Sequence, residues 1–153
     1  FEHKALYRSQ VEPVYSDYYT LEIGKARVVR RGSELSIITY GAGVHWALEA
    51  LDAQPGIDGE VVDLRTLVPW DQETVMASVR KNGKVLVLEE AVETGSFGAT
   101  IAAFISEHAF EYLDGPVMRA SSLDTPVPFN KQLEHTFLAR HRLPKKIREL
   151  AAY

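Results

Sequence analysis

The hydrophobic positions of this chain change their spacing several times between residues 26 and 121, which indicates that strands and helices alternate. Two short β-prone runs open this part, at residues 26–30 and 35–40. The residues between them, Arg-Gly-Ser-Glu, suit a hairpin. We therefore predict that the two runs pair with each other and that the first is an antiparallel edge strand.

After residue 40 the pattern alternates between helical spacing and strand-like runs. The run at 84–90 contains Val-Leu-Val-Leu without polar alternation, as in a strand that is covered on both faces. The predicted elements are a helix over 44–51, a strand over 60–64, a helix over 71–81, a strand over 84–90, a helix over 97–110, a strand over 117–121 and a last helix over 145–152. This order predicts an α/β fold with an open, mostly parallel twisted sheet, one antiparallel edge strand and helices on both faces.

The segment 60–71 is the most distinctive stretch, because it joins a strand to a helix by an unusual turn. Pro69 keeps the preceding residue out of helical geometry, and Asp71 is placed to cap the helix that follows. We expect Asp63, Arg65 and Asp71 to shape and cap this turn rather than to perform chemistry.

Length and composition describe one domain of ordinary size. The chain has 153 residues, 46% of them hydrophobic and 25% charged, which is the balance of a globular protein with its own core. Residues 1–24 show no sustained period, so we expect an extended lead-in there, followed by one domain at 25–153. Because the chain opens at Phe1 without a methionine, we expect it to be a piece of a longer protein with a missing upstream domain.

Charge and cysteine content exclude several classes of function. The formal net charge of -4 argues against nucleic-acid binding, which needs a concentrated excess of Lys and Arg. No apolar run approaches the ~20 residues of a membrane helix, so no membrane partner is expected. With no cysteine in the sequence, disulfides, thiolate metal sites and cysteine nucleophiles are excluded.

A candidate ligand crevice follows the second predicted strand, where Gly41 and Gly43 open a helix. With Asp63 at the end of the next strand, this is nearly a dinucleotide fingerprint, and His45 lies at the edge of the sheet where ligands bind. The third glycine is replaced by Trp46, which favours the simpler interpretation of a tight turn. The alternative function is therefore a nucleotide- or metabolite-binding regulatory module that uses Gly41, Gly43 and His45.

Glu89, Glu90 and Glu93 cluster at the end of the run that begins at residue 84. We expect them to be exposed loop acids, with acid-base chemistry or cation binding as the alternative. The histidines show no pair at the spacing typical of a metal site, and no nucleophile-base set emerges. We therefore predict no catalytic, cofactor-binding or metal-binding residue in this chain.

A second acidic group, Glu107, Glu111 and Asp114, surrounds the end of the helix predicted over 97–110. Negative charge at the carboxyl end of a helix interacts unfavourably with the helix dipole and lowers helix stability by up to ~1 kcal/mol per group. These acids therefore do not stabilise the helix. Two interpretations stay open, a surface for a basic partner and tolerated surface charge.

Several motifs, spread almost from end to end, carry a family resemblance. They are the segments 2–8 (EHKALYR), 35–41 (LSIITYG), 62–71 (VDLRTLVPWD), 89–91 (EEA), 94–98 (TGSFG) and 124–128 (DTPVP). In this order and spacing they resemble the C-terminal, transketolase-type domain of E1 component β subunits from 2-oxo acid dehydrogenase complexes, of the pyruvate or branched-chain type. A parent in which the α and β chains are fused is the other form that the resemblance allows.

The resemblance implies an oxidoreductase component that decarboxylates a 2-oxo acid on thiamine diphosphate and passes the acyl group to the lipoyl arm of E2. Thiamine diphosphate and Mg would be bound by domains absent from this chain, so the chain alone is expected to be inactive. Its work would be assembly, with the E1 α subunit or domain, a second E1 β copy and the E2 acyltransferase as partners. The implied location is the cytoplasm of a bacterium or the mitochondrial matrix of a eukaryote.

The same resemblance points to interface residues. Asp114 falls where relatives often have a glutamate that binds the basic domain of E2, and Tyr153 would supply a terminal carboxylate. With the neighbouring acid, this predicts an E2 or subunit interface at Glu111, Asp114 and Tyr153. The basic residues at 145, 146 and 148 stand close to the chain end in sequence and would oppose a basic partner.

Overall fold

The fold is that of a computed structural model, which describes residues 2–11 and 13–153. Phe1 and Glu12, both in the predicted lead-in, lie outside the described residues. The strands are β1 (Arg27–Arg30), β2 (Leu35–Thr39), β3 (Gly59–Asp63), β4 (Val85–Val92) and β5 (Met118–Ser122). The α-helices are α1 (Ala42–Asp52), α2 (Gln72–Asn82), α3 (Phe97–His108), α4 (Lys131–Phe137) and α5 (Leu143–Ala151). Short 3-10 turns span Lys4–Tyr7, Phe110–Tyr112 and Ala139–His141.

Every strand and helix expected from the sequence pattern is present, and no end differs from its predicted position by more than two residues. The pattern does not predict α4, because this helix has only seven residues and only Phe137 among them is buried. Its start is set by Asn130, whose side chain accepts a hydrogen bond from the Gln132 backbone N–H at 2.9 Å. Among residues 2–11 and 13–153, no helix combines the length and apolar character that crossing a membrane requires.

The sheet order is β1-β3-β2-β4-β5, in which β1 is antiparallel to β3 and every other pair of neighbours is parallel. The antiparallel edge strand is confirmed, whereas the predicted hairpin of β1 with β2 is wrong. β1 pairs with β3 instead, with Arg27 opposite Asp63 and Val28 opposite Val62. A hairpin is not available because both sides of β2 are occupied by its parallel neighbours.

The segment between β1 and β2 is held at the start of β3. The backbone N–H groups of Ser33 and Glu34 donate to the Asp58 carbonyl oxygen at 3.1 and 2.9 Å, and the Ser33 hydroxyl donates to Asp58 Oδ2 at 2.7 Å. Gly32 approaches Gly59 so closely that a side chain at Gly32 would collide with the backbone there. These contacts carry the chain past the amino end of β3, so that β3 lies between β1 and β2.

Helices cover both faces of the sheet, as predicted. In β4, Leu86 and Leu88 pack on the face with α1 and α5, while Val85 and Val87 pack on the face with α2 and α3. All of these side chains are fully buried. Burying an aliphatic side chain of this size contributes about 1.5–3 kcal/mol, so β4 stabilises both hydrophobic cores at once.

The turn between β3 and α2 is built as predicted. Asp63 Oδ1 accepts a hydrogen bond from the Arg65 backbone N–H at 3.0 Å, and Arg65 has a φ of 60°, in the left-handed region. Asp71 caps α2, because its Oδ1 accepts from the Thr74 backbone N–H at 3.0 Å. Its Oδ2 accepts from the Ala26 backbone N–H at 2.9 Å, which ties the residue before β1 to the start of α2. The prediction that Asp63, Arg65 and Asp71 shape and cap this turn is confirmed.

The outer edge of β5 is covered by the segment that joins α4 to α5. The Leu123 backbone N–H donates to the Phe137 carbonyl oxygen at 3.1 Å. The Arg142 guanidinium donates to the carbonyl oxygens of Ser121 and Thr136, each at 2.8 Å. These bonds use backbone groups that an edge strand would otherwise present to another chain.

Candidate functional site

The parallel strands give the sheet two different edges, one at their amino ends and one at their carboxyl ends. The predicted site residues divide between them: Glu111, Asp114 and Tyr153 belong to the amino edge, and Gly41, Gly43 and His45 follow the carboxyl end of β2. The predicted interface and the predicted ligand crevice are therefore separate places on the domain.

At the amino edge the fold brings Asp114 and Tyr153 together. The Asp114 backbone N–H donates to the carbonyl oxygen of Gly83, just before β4, at 2.9 Å. Gly83 has a φ of 66°, and a side chain there would collide with the Asp114 carboxylate. The next residue, Gly115, packs on the Tyr153 ring so closely that an added Cβ would lie 3.0 Å from the ring carbon Cγ. Asp114 and Tyr153 are thus neighbours across a single glycine.

The end of α5 is fixed at this edge by a lysine. Lys84, the residue before β4, donates from Nζ to the Ala151 carbonyl oxygen at 2.9 Å. Beside it, an open cavity of about 410 Å³ is lined by Met118, Glu149, Ala152 and Tyr153. Tyr153 therefore lies beside a surface depression.

The amino-edge surface, which we define as Phe110, Glu111, Asp114 and Tyr153, combines unpaired acids with exposed aromatic rings. Phe110 is 78% exposed and Tyr153 is 65% exposed. Glu111 and Asp114 are exposed, and neither forms an ion pair with another residue of the part that the structure describes. Exposed aromatic rings beside acids that form no ion pair suit contact with a basic protein surface.

The basic residues of α5 lie in different surroundings. Lys145 pairs with Glu149 at 3.6 Å, and Arg148 donates to Gln54 Oε1 at 3.0 Å. Lys146 lines a cavity at the carboxyl end of β5, at the opposite edge of the sheet. Lys146 therefore lies away from the amino edge, whereas Arg148 is bonded to Gln54, which lies between the end of α1 and the start of β3 at that edge.

At the carboxyl edge the two glycines are explained by the backbone. Gly41 precedes α1 with a φ of 57°, and a side chain at Gly43 would collide with the Thr39 hydroxyl. Trp46, which replaces the third glycine, is 8% exposed and belongs to the core between α1 and α5. His45 is half-buried. The tight turn is thus accounted for without a phosphate group.

The crevice at this edge lies at the carboxyl ends of the neighbouring strands β2 and β4, where the helices that follow them, α1 and α3, go to opposite faces of the sheet. Open α/β sheets bind ligands at such a place. The lead-in turn Lys4–Tyr7 lies over it, and His3 Nε2 is 2.7 Å from Glu90 Oε2. A cavity of about 290 Å³ remains, lined among others by His3, His45 and Glu90. This is at the small end of the range for ligand pockets, roughly 300–1,000 Å³, so the geometry gives the nucleotide alternative no support.

Glu89 was expected to be an exposed loop acid, and this is wrong. β4 continues to Val92, and the Glu89 side chain is fully buried against the start of α3. The carboxylate accepts hydrogen bonds from Tyr40 Oη, Ser96 Oγ, the Gly98 backbone N–H, Arg119 Nη2 and Ser121 Oγ, at 2.6–3.2 Å. Glu90 is half-buried, and Glu93 is exposed as expected. The three acids therefore occupy three different environments.

The hydrogen bonds around Glu89 favour the charged form of its carboxylate. Burial alone would raise the pKa of Glu89, but the hydrogen bonds, led by those from Ser96 and Ser121, outweigh it and keep the pKa below its ordinary value. The pKa of Tyr40 is raised, first by burial and then by the charge of Glu89. A charged carboxylate with this many donors is a weak proton acceptor, so the network positions α3 on the sheet rather than acting as a base.

Comparison with known proteins places the chain in a family. The family model described as the transketolase C-terminal domain matches residues 24–142. The chain belongs to this family. The five-stranded, mostly parallel sheet described above is the fold of this transketolase C-terminal domain, and its closed network around Glu89 lies inside the matched range.

Curated relatives of the domain are E1 β subunits, which confirms the resemblance found in the sequence. It is 46% identical over 143 residues to the pyruvate dehydrogenase E1 component subunit beta of Bacillus subtilis, covering 92% of this chain and 44% of that protein. It is 48% identical over 130 residues to the mitochondrial 2-oxoisovalerate dehydrogenase subunit beta 2 of Arabidopsis thaliana, covering 84% of this chain and 36% of that protein. The chain thus spans less than half of each relative.

A solved structure agrees with the domain over nearly its whole length. A split-gene transketolase, described as an inactive beta4 tetramer, superimposes with a TM-score of 0.74 at 27% sequence identity. The superposition covers 93% of this chain and 46% of the transketolase chain. More than half of the transketolase chain therefore lies outside the match.

This transketolase C-terminal domain also brings together two histidines that lie six residues apart in sequence. His135 of α4 and His141 stack with ring centroids 3.3 Å apart and planes inclined by 23°. Stacked rings present their faces to each other, so their nitrogen lone pairs do not converge on one point. Within the described ranges, no group of three or more His, Cys, Asp or Glu side chains is arranged to hold a metal ion.

The stacked histidines predict a pH dependence of stability. Partial burial, the nearby His135 and two arginines hold the pKa of His141 below its ordinary value of 6.5. The folded domain therefore binds this proton less readily than the unfolded chain, so the free energy of unfolding should fall as pH drops below about 6.5. Urea denaturation at several pH values measures this slope, and His141→Gln should make it shallower.

His135→Gln is the matched variant for this experiment. It removes one positive charge beside His141 but leaves the partial burial, so the slope should become shallower by a smaller amount. If His141→Gln gave a profile parallel to that of the unsubstituted domain, the stacked pair would have no part in the pH dependence.

Proposed function

We propose that this chain is the non-catalytic C-terminal assembly domain of the E1 component of a 2-oxo acid dehydrogenase complex. The observation that carries the proposal is its identity of 40–48% to curated E1 β subunits of the pyruvate and branched-chain types. The whole parent enzyme is an oxidoreductase component that decarboxylates a 2-oxo acid and passes the acyl group to lipoamide on E2. It works in the bacterial cytoplasm or in the mitochondrial matrix.

Thiamine diphosphate and Mg do not fit the two candidate places that the described residues offer, the start of α3 and the crevice after β2. A diphosphate needs free backbone N–H groups at a loop or helix start, yet the Gly98 N–H at the start of α3 is already bonded to Glu89. The crevice after β2 is narrowed by the lead-in, whose His3 contacts Glu90. We therefore assign the cofactor and its metal to domains upstream of this chain, and we assign no chemical step to its residues.

The partners of the domain are the E1 α subunit or domain, a second E1 β copy and the E2 acyltransferase. The beta4 assembly of the similar split-gene transketolase supports contact between copies. For E2, the amino-edge surface offers the exposed carboxylates of Glu111 and Asp114 next to Tyr153. Carboxylates in such a position would steer a basic domain and fix its register.

The assembly proposal is tested with the 153-residue chain itself. Calorimetry with thiamine diphosphate and Mg should show no binding, and an assay with pyruvate and branched-chain 2-oxo acids should show no decarboxylation. Immobilised chain should retain the E1 α subunit of a relative and the basic binding domain of E2. Micromolar affinity for the cofactor, or failure to retain either partner, would refute the assembly role.

A charge reversal at Asp114 should weaken binding of the E2 domain. Asp114→Lys places a cation where we expect a basic partner, so affinity should fall at least about tenfold, or ~1.4 kcal/mol. Binding measured by calorimetry at two salt concentrations should also show a weaker salt dependence in the variant.

Glu73→Lys is the matched control for this change. It alters the net charge equally, but Glu73 is 91% exposed in the first turn of α2, at the carboxyl edge of the sheet. Its effect on affinity should be less than about twofold. Equal losses from the two variants would mean that only net charge matters and that the amino-edge surface is not the contact.

A further inference from the structure

A small cavity of about 80 Å³ lies at the carboxyl end of β5. Three cationic side chains line it, those of Arg119, Arg142 and Lys146, together with Ser121 and Ser122. In liquid water each molecule takes up about 30 Å³. The cavity therefore has room for about two or three waters or for a single tetrahedral oxyanion. It is too small for a nucleotide.

Arg119 carries a donor that no described residue uses. Its hydrogen bonds run through Nη2, to Glu89 Oε1 at 3.1 Å and to the Glu93 carbonyl oxygen at 2.5 Å, among others. Its Nε is buried and has no partner among the described residues. Because this atom is closed to a sphere the size of a water molecule, Arg119 contributes charge to the cavity lining rather than a free Nε donor.

The other two cations are not neutralised within the described chain. Arg142 is held in place by neutral carbonyl oxygens, those of Ser121 and Thr136, so it is positioned without losing its charge. Neither Arg142 nor Lys146 forms an ion pair with a carboxylate of the described residues. One carboxylate, that of Glu93, also belongs to the lining, but Glu93 is exposed, where solvent screens its charge.

We propose that this cavity binds a phosphate-type oxyanion, either free or as the phosphoryl group of a larger molecule. The oxyanion accepts hydrogen bonds from the Lys146 ammonium group, and the fixed charge of Arg142 adds electrostatic attraction. The site goes beyond the assembly function and lies at the opposite edge of the sheet from the amino-edge surface. It makes the carboxyl end of β5 a place where an anionic small molecule stabilises the domain.

The test is a titration of the 153-residue chain with inorganic phosphate at constant ionic strength, followed by NMR of the backbone amides. Saturable shifts are expected at residues 119–123 and 142–146. Lys146→Gln should weaken the affinity about tenfold, because it removes one charge-assisted contact. Glu93→Gln should leave binding intact or strengthen it. A parallel titration with glycerol phosphate distinguishes a free ion from a phosphoryl group carried by a larger molecule.

Lys145→Gln is the control, because Lys145 is the adjacent residue on α5, is paired with Glu149 and does not line the cavity. It should leave the phosphate affinity unchanged. The proposal is overturned if neither phosphate titration shows saturable shifts, if an equal concentration of chloride gives the same shifts, or if Lys145→Gln and Lys146→Gln lose affinity equally.

Discussion

Replacing Arg119 with methionine should lower the free energy of unfolding by about 3–5 kcal/mol, because it leaves a buried carboxylate without its cation. Arg119 Nη2 lies 3.1 Å from Glu89 Oε1, and the Glu89 side chain is fully buried. Methionine keeps most of the apolar stem, so the loss reports the charge rather than packing. Urea denaturation near neutral pH, with an unchanged m-value, measures the difference.

The control for Arg119→Met is the same substitution at an exposed pair. Arg140 Nη2 lies 2.6 Å from Glu49 Oε2, with side chains 47% and 54% exposed, so Arg140→Met should cost only about 0–1 kcal/mol. The double variant Glu89→Gln/Arg119→Met should recover part of the loss, since no unpaired charge remains buried. Equal costs at the two arginines would show that burial of Glu89 has little energetic weight.

Asp71→Ala should be the second most damaging change, with an expected loss of about 2–4 kcal/mol from a lost helix cap and a second orphaned donor. Asp71 is 5% exposed, and its carboxylate serves the Thr74 N–H at the start of α2 and the Ala26 N–H before β1. Removing it therefore releases two chain segments at once. Denaturation curves give the free energy, and amide exchange should rise at both Ala26 and Thr74.

Asn130→Ala provides the comparison for Asp71→Ala. Asn130 also caps a helix through its side chain, with Oδ1 accepting from the Gln132 backbone N–H at 2.9 Å. It is exposed and serves only one donor, so its loss should cost no more than about 1 kcal/mol. If the two caps proved equally important, the link from Asp71 to β1 would contribute nothing.

The α/β fold was predictable because its signals are local. The apolar run Val-Leu-Val-Leu in β4 specifies burial on both faces, and the structure places its members alternately in two cores. The turn before α2 was predictable for the same reason, since Asp71 acts on a residue only three positions away. Both features are encoded by the spacing of hydrophobic and polar residues within about a dozen positions of the chain.

Features that depend on distant partners could not be predicted in the same way. The linker between β1 and β2 has the length of a hairpin, but its course is decided by Asp58, more than twenty residues away. The burial of Glu89 depends on Ser96, Arg119 and Ser121, up to 32 residues away. One sequence signal was available, because the strand predicted over 117–121 contains an arginine, and a charged side chain that is buried in a sheet requires a partner of opposite charge.

In the candidate sites, too, contacts between residues far apart in sequence could not be predicted. The family resemblance named Glu111, Asp114 and Tyr153 as interface residues, and their role in binding stays a prediction. Only the structure shows that Asp114 and Tyr153 are neighbours. The two residues are 39 positions apart in sequence, and they are brought together because Gly115, next to Asp114, packs on the Tyr153 ring. The spacing of residues also gave no sign that Arg119 and Lys146, which lie 27 positions apart, line one cavity.

The covered edge of β5 limits how this domain can associate with other chains. On that side, Phe137 and Arg142 already occupy backbone groups at the carboxyl end of the strand and in its extension, so another strand cannot pair along its whole length there. On the other side, β1 is only four residues long and its pairing shifts register between Val28 and Arg30, which makes it a poor template. Assemblies of this domain should therefore depend on contacts between side chains. Substitutions on the surface can then change the partner without creating a sheet edge on which copies of the domain could add to one another as a fibre.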